Sequence, residues 1–461
     1  MKSFVVLAAL ASTALAGDFD DDRDLPDDPF VVFNVTGLHI SQGDTPEKMT
    51  ISWQTPQYCE SEVRYGTSRD DLEFKAFGDS AHYTFVDYTE PIYMSGYHHH
   101  VSVPKLEPGT MYYYKAGDFF QSVMSDVREF QTLQRIGDIS PMAIGIVGDL
   151  GMTDDSKSTL EHLSRNTNID MIMHVGDLGY ADCVQTKWDD YSEMVENLAS
   201  RKPWMVGAGN HEIEGNSASN YFQAFEMRYR MNPERPAEFG KVTIPGGTDK
   251  DGSQWCCPSV FQMEYNYGNS FYSFSSGPMH SVFLNCYSTN DEASEQYQWF
   301  IRDMKTVDRE ITPWVVVSMH CPWYNSNTAH YEEQQAVEMR TNMEALFYEH
   351  KVNMVFTGHV HAYERTFPVY EGKKTVDGSV YLTIGDGGNA EGHSNEYHEP
   401  TPEWSAFRNG TQYGHGVIQF YNESHMEWQW HRNIDHEPVV TDSYLLCNTA
   451  LGLNADCTSK Y

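Results

Sequence analysis

The 461-residue sequence predicts two folded units in succession, an all-β sandwich over residues 30–134 and an α/β layered domain over 141–461. Two observations lead there. From Phe30 to Leu133 short strand patterns alternate with turns, and no convincing helical period appears. Beyond Ser140, continuous apolar runs recur, each followed by a loop rich in Gly, Asp, Asn or His. Continuous rather than alternating hydrophobicity implies strands covered on both faces.

Residues 1–16 read as a secretory signal. Lys2 supplies the charged start, Phe4 to Leu10 the apolar core, and Ala14-Leu15-Ala16 the small-residue cleavage site. The stretch is too short to span a bilayer and no later run is apolar for long enough, so membrane insertion is not expected. The C-terminal residues show neither an anchor tail nor a retention signal. A secreted protein is expected, extracellular or in a lysosome- or vacuole-like lumen. Asn34-Val35-Thr36, Asn409-Gly410-Thr411 and Asn422-Glu423-Ser424 are sequons, so N-glycans are expected at Asn34, Asn409 and Asn422. Residues 17–29 form an acidic, disordered arm.

Eight cysteines (59, 183, 256, 257, 286, 321, 447 and 457) fit an oxidising compartment. Without any CxxC spacing they read as staples, not metal ligands. Cys447 and Cys457 are close enough for a local bridge. Adjacent Cys256 and Cys257 are expected to pair with different partners. The formal charge is −35, from 31 Lys+Arg against 66 Asp+Glu. That excess disfavours nucleic acid and anionic membranes as partners.

In the first unit, Met49-Thr50-Ile51-Ser52-Trp53 alternates strictly, as a half-buried strand does. Leu106-Glu107-Pro108-Gly109-Thr110-Met111-Tyr112 resembles a stretch of fibronectin type III domains in which a tyrosine bonds back to the upstream turn. The resemblance makes Trp53 the core tryptophan and Tyr112 the corner tyrosine. His98-His99-His100 does not read as a metal site, because successive strand residues face opposite ways.

Ile136 to Ser140 is the linker. In the second unit Met142–Val147 leads into Gly148-Asp149-Leu150-Gly151, and Met171–Val175 into Gly176-Asp177-Leu178-Gly179-Tyr180. Trp204–Ala208 leads into Gly209-Asn210-His211-Glu212, Val315–Met319 into His320, and Val352–Phe356 into Thr357-Gly358-His359-Val360-His361. The polar residues thus follow the carboxyl ends of strands, where open α/β sheets place their sites. An extended His359-Val360-His361 would put both imidazoles on one face, each available to one of two metals about 4 Å apart.

Taken in order, GDLG, GDLGY, GNHE, VSMH and GHVH resemble the five signature blocks GDxG, GDxxY, GNH[DE], VxxH and GHxH of the purple acid phosphatases. These are secreted dinuclear metallophosphoesterases whose larger members carry a fibronectin-like domain ahead of the catalytic one. The resemblance implies a four-layer α-β-β-α catalytic domain. It puts Asp149, Asp177, Tyr180 and His361 on an Fe(III), with Asp177 bridging to a divalent metal that also takes Asn210, His320 and His359. The donor chemistry agrees. Carboxylates and a phenolate suit hard Fe(III), while imidazoles and an amide suit Zn(II), Mn(II) or Fe(II).

The implied reaction is hydrolysis of small-molecule phosphate monoesters by a metal-activated hydroxide at acid pH. His211 matches the family's substrate-contacting histidine. In His320 to His330 another substrate loop is matched, but Ala329-His330 stands where plant members have two histidines. His330 is expected to protonate the leaving group. A phosphodiesterase or nucleotide pyrophosphatase on the same site is the alternative reading. A binding module with a vestigial site is disfavoured, because all seven ligand positions are intact.

Other residues read more plainly. Tyr363, Glu364 and Arg365 are expected to brace the HxH loop, with Glu364 able to orient a ligand histidine. His174 reads as a satisfied core histidine, Gly385-Asp386-Gly387-Gly388 as a turn, and Cys321 as a staple. Glu212 to Pro258 reads as a long polar insertion at the site rim, and the alternating strands from Val417 and Met426 as completing the catalytic sheet.

Overall fold

A computed structural model describes residues 34–86, 92–215, 221–231, 256–258, 262–435 and 439–453. The expected leader, the acidic arm, residues 232–255 of the insertion, and Cys457 lie outside them.

Two antiparallel sheets form the first unit. One orders Thr36–Gln42, Met49–Thr55, Tyr97–Val103 and Asp79–Ala81. The other orders Val123–Met124, Met111–Asp118, Glu62–Gly66 and Phe74–Phe77, with Arg128–Gln131 also paired to Met111–Asp118. Alternating residues close a shared core: Ile40, Ile51, Trp53 and Val101 from the first sheet meet Val63, Tyr114 and Phe130 from the second. The Glu107 backbone N–H donates to the Tyr112 hydroxyl at 3.0 Å, so this tyrosine does bond back to the turn before it.

Alternation also sorts the three histidines. His99 turns inward, its ring parallel to Trp53 at 4.9 Å and its nitrogens on Thr55 Oγ1 (2.7 Å) and Ser61 Oγ (2.8 Å). His98 and His100 face the other way, toward the ring of Tyr83 and the carbonyl of Met227.

Burial holds the His99 pKa down at about 4, with Asp118 opposing, and burial likewise holds His39 at about 4. An unfolded histidine titrates near 6.5, so below that pH protons favour the unfolded chain. The stability due to these neutral rings is therefore complete above about pH 6.5 and is lost as pH falls toward 4, by up to about 3 kcal/mol per ring. His99→Gln should flatten the fall in urea midpoint between pH 6.5 and 4. An unchanged slope would show that His99 is not the group responsible.

The second unit contains two mixed sheets. Met142–Val147 runs into the helix Asp154–Arg165, whose capping Thr153 accepts the amides of Asp155 and Ser156; then Ile169–His174, the helix Thr186–Ala199 and Trp204–Val206 follow. These three strands are parallel neighbours. Gly414–Phe420 pairs antiparallel with Met142–Val147 and is followed outward by His425–Arg432 and Val439–Cys447, so the C-terminal strands do complete this sheet. The seven-stranded sheet orders Tyr272–Ser276, Met279–Phe283, Trp314–Ser318, Met354–Thr357, Val380–Ile384, Tyr363–Thr366 and Ser405–Asn409. Both sheets belong to one core, and the rings of Phe356 and Trp428 meet across it at 5.5 Å.

The insertion is not simply a polar loop. Within it Gln223–Arg228 is a helix whose Phe225 is fully buried. Its Arg228 is also buried, pairing with Asp189 at 2.9 Å and donating to the hydroxyls of Tyr83 and Tyr93 of the first unit. A polar stretch can bury a cation when carboxylate and hydroxyl partners converge on it. Disulfides join Cys183 to Cys256 and Cys286 to Cys321, and Cys447 is also bonded. Cys59 and Cys257 are free thiols.

Candidate metal centre

Five parallel strands, three from the smaller sheet and two from the larger, point their carboxyl ends at one buried place. The turns that follow are strained in a consistent way. Asp149, Asp177, Tyr180 and His359 all have left-handed backbones, with φ of 54°, 53°, 50° and 69°. Non-glycine residues rarely accept this conformation, and such residues cluster at functional sites. The glycines beside them are required sterically. A Cβ on Gly358 would lie 2.2 Å from Asp149 Oδ2, and one on Gly209 would lie 2.1 Å from Asp177 Oδ1.

Because His359 is left-handed and residues 358–362 leave the strand, the HxH segment is not extended. The two imidazoles reach different groups through this turn, not through the strand alternation expected from the sequence.

The seven expected ligand residues converge in two groups. In the first, the Tyr180 hydroxyl is 3.3 Å from Asp149 Oδ1 and 3.1 Å from His361 Nε2, and His361 Nε2 is 3.6 Å from Asp149 Oδ1. In the second, His320 Nε2 is 3.0 Å from Asp177 Oδ2 and 3.2 Å from Asn210 Oδ1. Ligand atoms of Asp177, His320 and His359 lie within 4.8 Å of one another. His320 Nδ1 is engaged by the Val175 carbonyl and His361 Nδ1 by that of Gly392, which turns both Nε2 atoms inward.

Every one of the seven is at least nine-tenths buried. Among the described residues neither Asp149 nor Asp177 has a Lys or Arg ion pair. Burial pushes the Asp149 carboxyl well up, and burial together with Asp149 does the same to the Tyr180 phenol. Buried carboxylates without a fixed cation are costly, whereas two multivalent ions would satisfy this donor set. The residues fit a pair of metals.

The surrounding bonds hold the turns together. The Glu212 carboxylate accepts the amides of Asp177 (2.8 Å), Leu178 (2.9 Å) and Gly209 (2.7 Å), tying two motif turns to each other. Asp149 accepts the His359 amide at 2.9 and 3.0 Å. At the rim the His211 ring lies 4.0 Å from that of Tyr180, with Nδ1 2.6 Å from Asp182 Oδ1 and Nε2 3.9 Å from Asp177 Oδ2. The partly exposed His330 ring lies 3.8 Å from that of His359, tilted to it by 35°.

Motif spacing does not single out Glu333. Its Oε1 is 2.7 Å from His330 Nδ1 and its Oε2 is 2.8 Å from His359 Nε2, so one carboxylate joins the two rings. Its only sequence signal is a Glu three residues after His330, a spacing too common to be informative. Asp182, two residues past the GDLGY block, escapes for a similar reason.

Other expectations need correction. Glu364 orients no ligand histidine; it accepts from Ser326 N, Ser326 Oγ and Ser405 Oγ, bracing the loop that carries His330. Tyr363 and Arg365 both bond Asp442. His174 is a core histidine, buried against the rings of Tyr191 and Trp204, but among the described residues its ring nitrogens find no partner of full hydrogen-bond geometry. The Gly387 amide bonds the Gly148 carbonyl and Asp386 accepts from Trp430 Nε1, so this turn supports the first motif from beneath.

Comparisons with known proteins agree along the chain. Residues 35–132 match "Purple acid Phosphatase, N-terminal domain", 142–363 match "Calcineurin-like phosphoesterase", and 378–443 match "Iron/zinc purple acid phosphatase-like protein C". A probable purple acid phosphatase 20 of Arabidopsis thaliana is 39% identical over 440 residues, covering 95% of this chain and 91% of that protein. A phosphoenolpyruvate phosphatase of Allium cepa is 35% identical over 435 residues, covering 90% and 82%. A solved purple acid phosphatase from yellow lupin (Lupinus luteus) seeds shares the fold, with a TM-score of 0.76 at 21% identity over 93% of this chain and 78% of that one.

Proposed function

Because the chain belongs to the purple acid phosphatase family, we propose that its two buried ligand groups hold a dinuclear Fe(III)–M(II) centre. The protein is an acid phosphatase that hydrolyses phosphate monoesters, which sets aside the binding-module reading. Asp149, Tyr180 and His361 would hold the Fe(III). Asn210, His320 and His359 would hold a Zn, Mn or Fe divalent ion, with Asp177 between them. The observation that carries this reading is the separation of donors: phenol, carboxylate and one imidazole on one side, amide and two imidazoles on the other. When bound, such a pair supplies Lewis acidity and lowers the pKa of water.

The chain's own residues do the rest. His211, held by Asp182, faces the place where a phosphate oxygen would lie. His330, with Nδ1 engaged by Glu333, presents Nε2 to the ester oxygen of the leaving group and delivers a proton there. Glu333 also fixes the ring of His359. Glu333→Gln should therefore lower affinity for the divalent metal by about 10- to 100-fold, the usual cost of losing an outer carboxylate. Dialysis against a chelator followed by elemental analysis measures this. Unchanged retention of the divalent metal would sink the role.

The visible spectrum tests the iron assignment. Tyrosinate on Fe(III) gives a purple charge-transfer band, which Tyr180→Phe should remove while the protein stays folded. A colourless, metal-loaded and active wild type would rule the assignment out.

The finer readings complete the picture. The first unit, residues 30–134, is fibronectin type III-like, as the Tyr112 bond supports. The second, 141–461, is read as layered α-β-β-α, which its two mixed sheets sharing one core support. Secretion after removal of residues 1–16 is supported by the bonded cysteines, Cys183–Cys256, Cys286–Cys321 and Cys447. Glycans are proposed at Asn34, Asn409 and Asn422.

A further inference from the structure

Next to the centre lies a second group of potential ligands. A carboxylate oxygen of Asp182, a ring nitrogen of His211 and Cys257 Sγ are all within 4.8 Å of one another. None of the three is among the seven ligand positions. Cys257 is a half-buried free thiol. Its neighbour Cys256 is bonded to Cys183, the residue that follows Asp182, so one disulfide pins the thiol to the turn that carries the carboxylate. His211 Nδ1 and Asp182 Oδ1 are already only 2.6 Å apart. Burial first, and then the negative charges of Asp182, Glu391, Asp177 and Glu214, push the thiol up to about 12 in the absence of a cation.

We propose that Asp182, His211 and Cys257 form a third cation site, for a soft or borderline divalent ion such as Zn2+ or Cd2+, whose occupation inhibits the enzyme. A carboxylate, an imidazole and a thiolate make a mixed set that hard Mg2+ or Ca2+ does not favour and that Zn2+ or Cd2+ does. Three protein ligands leave a fourth position for water. On binding, the Cys257 S–H bond and a His211 ring N–H bond break, both protons go to solvent, and the freed sulfur and nitrogen pairs form the bonds to the cation, which takes over the Asp182 carboxylate from the imidazole. The same negative field that opposes a bare thiolate attracts the divalent ion. Inhibition follows because the imidazole of His211 is withdrawn from the phosphate; this part rests on the role proposed for His211 above.

The test uses the holoenzyme with its dinuclear centre filled, titrated with Cd2+ in equilibrium dialysis. Wild type should take up one further equivalent with a sulfur-to-cadmium ultraviolet band, and lose activity in parallel. Cys257→Ser should keep the basal activity, lose the band, and need at least about tenfold more Cd2+ for binding and inhibition. Asp182→Asn, scored on binding alone, should weaken uptake as well. A Cys257→Ser enzyme that binds and is inhibited like wild type would overturn the site. So would a wild type that takes up no further equivalent. Binding through Cys257 without inhibition would confirm the site and overturn the contribution of His211 to the reaction.

Discussion

Asp177→Asn is expected to reduce kcat by about 10³-fold or more, because a metal pair supplies several kcal/mol of charge stabilisation and each 1.4 kcal/mol is a decade. Asp177 is held from several sides. Its Oδ2 is 3.0 Å from His320, and its Oδ1 accepts the His211 amide at 2.9 Å. Its own amide is held by Glu212. Burial alone would raise this carboxyl's pKa, but His320 and His211 hold it low, so it is an anion in the folded protein. Asparagine keeps the shape and removes the charge that would be shared between the metals. Elemental analysis should show metal lost from both positions, with the fold retained by circular dichroism. A variant that kept two metals and normal kcat would refute the bridging role.

His330→Ala should show a different signature. General-acid assistance is worth about 10²- to 10⁴-fold, but only where the leaving oxygen needs a proton. An alkyl phosphate should lose activity in that range, whereas a nitrophenyl ester, whose phenolate leaves unaided, should lose little. The steepening of rate with leaving-group pKa is the readout. Equal losses on both esters would reassign His330 to binding or structure. His330 has a defined setting for this task, since Glu333 engages Nδ1 and the ring rests on His359. With Ala329 beside it, no second imidazole from this loop can substitute.

Much of the site is legible in the sequence. Gly148-Asp149, Gly176-Asp177, Gly209-Asn210 and Gly358-His359 stand out because each glycine precedes a ligand that lies against it or a neighbour. A Cβ would strike a carboxylate at Gly209 and Gly358, so the spacing records a steric need. Glu333, Asp182 and Cys257 are not legible. Each acts on a residue distant in sequence or across a turn, and its type and spacing do not differ from those of a solvated side chain. The insertion after Glu212 misleads for a related reason. The buried Arg228 in its helix looks polar until Asp189, Tyr83 and Tyr93 surround it.

Local sequence is enough to suggest the two units, many of the strands and, through the motif resemblance, seven candidate ligand residues. Those features rest on short-range periodicity and on backbone conformations that only certain residues tolerate. The folded arrangement is needed to show how close the candidate ligands come to one another and which carboxylates steady the histidines. It is needed as well to show that the HxH pair diverges through a left-handed turn and that a thiol stands beside His211. These depend on distances between residues far apart in the chain, and one sequence does not encode such distances in any local pattern.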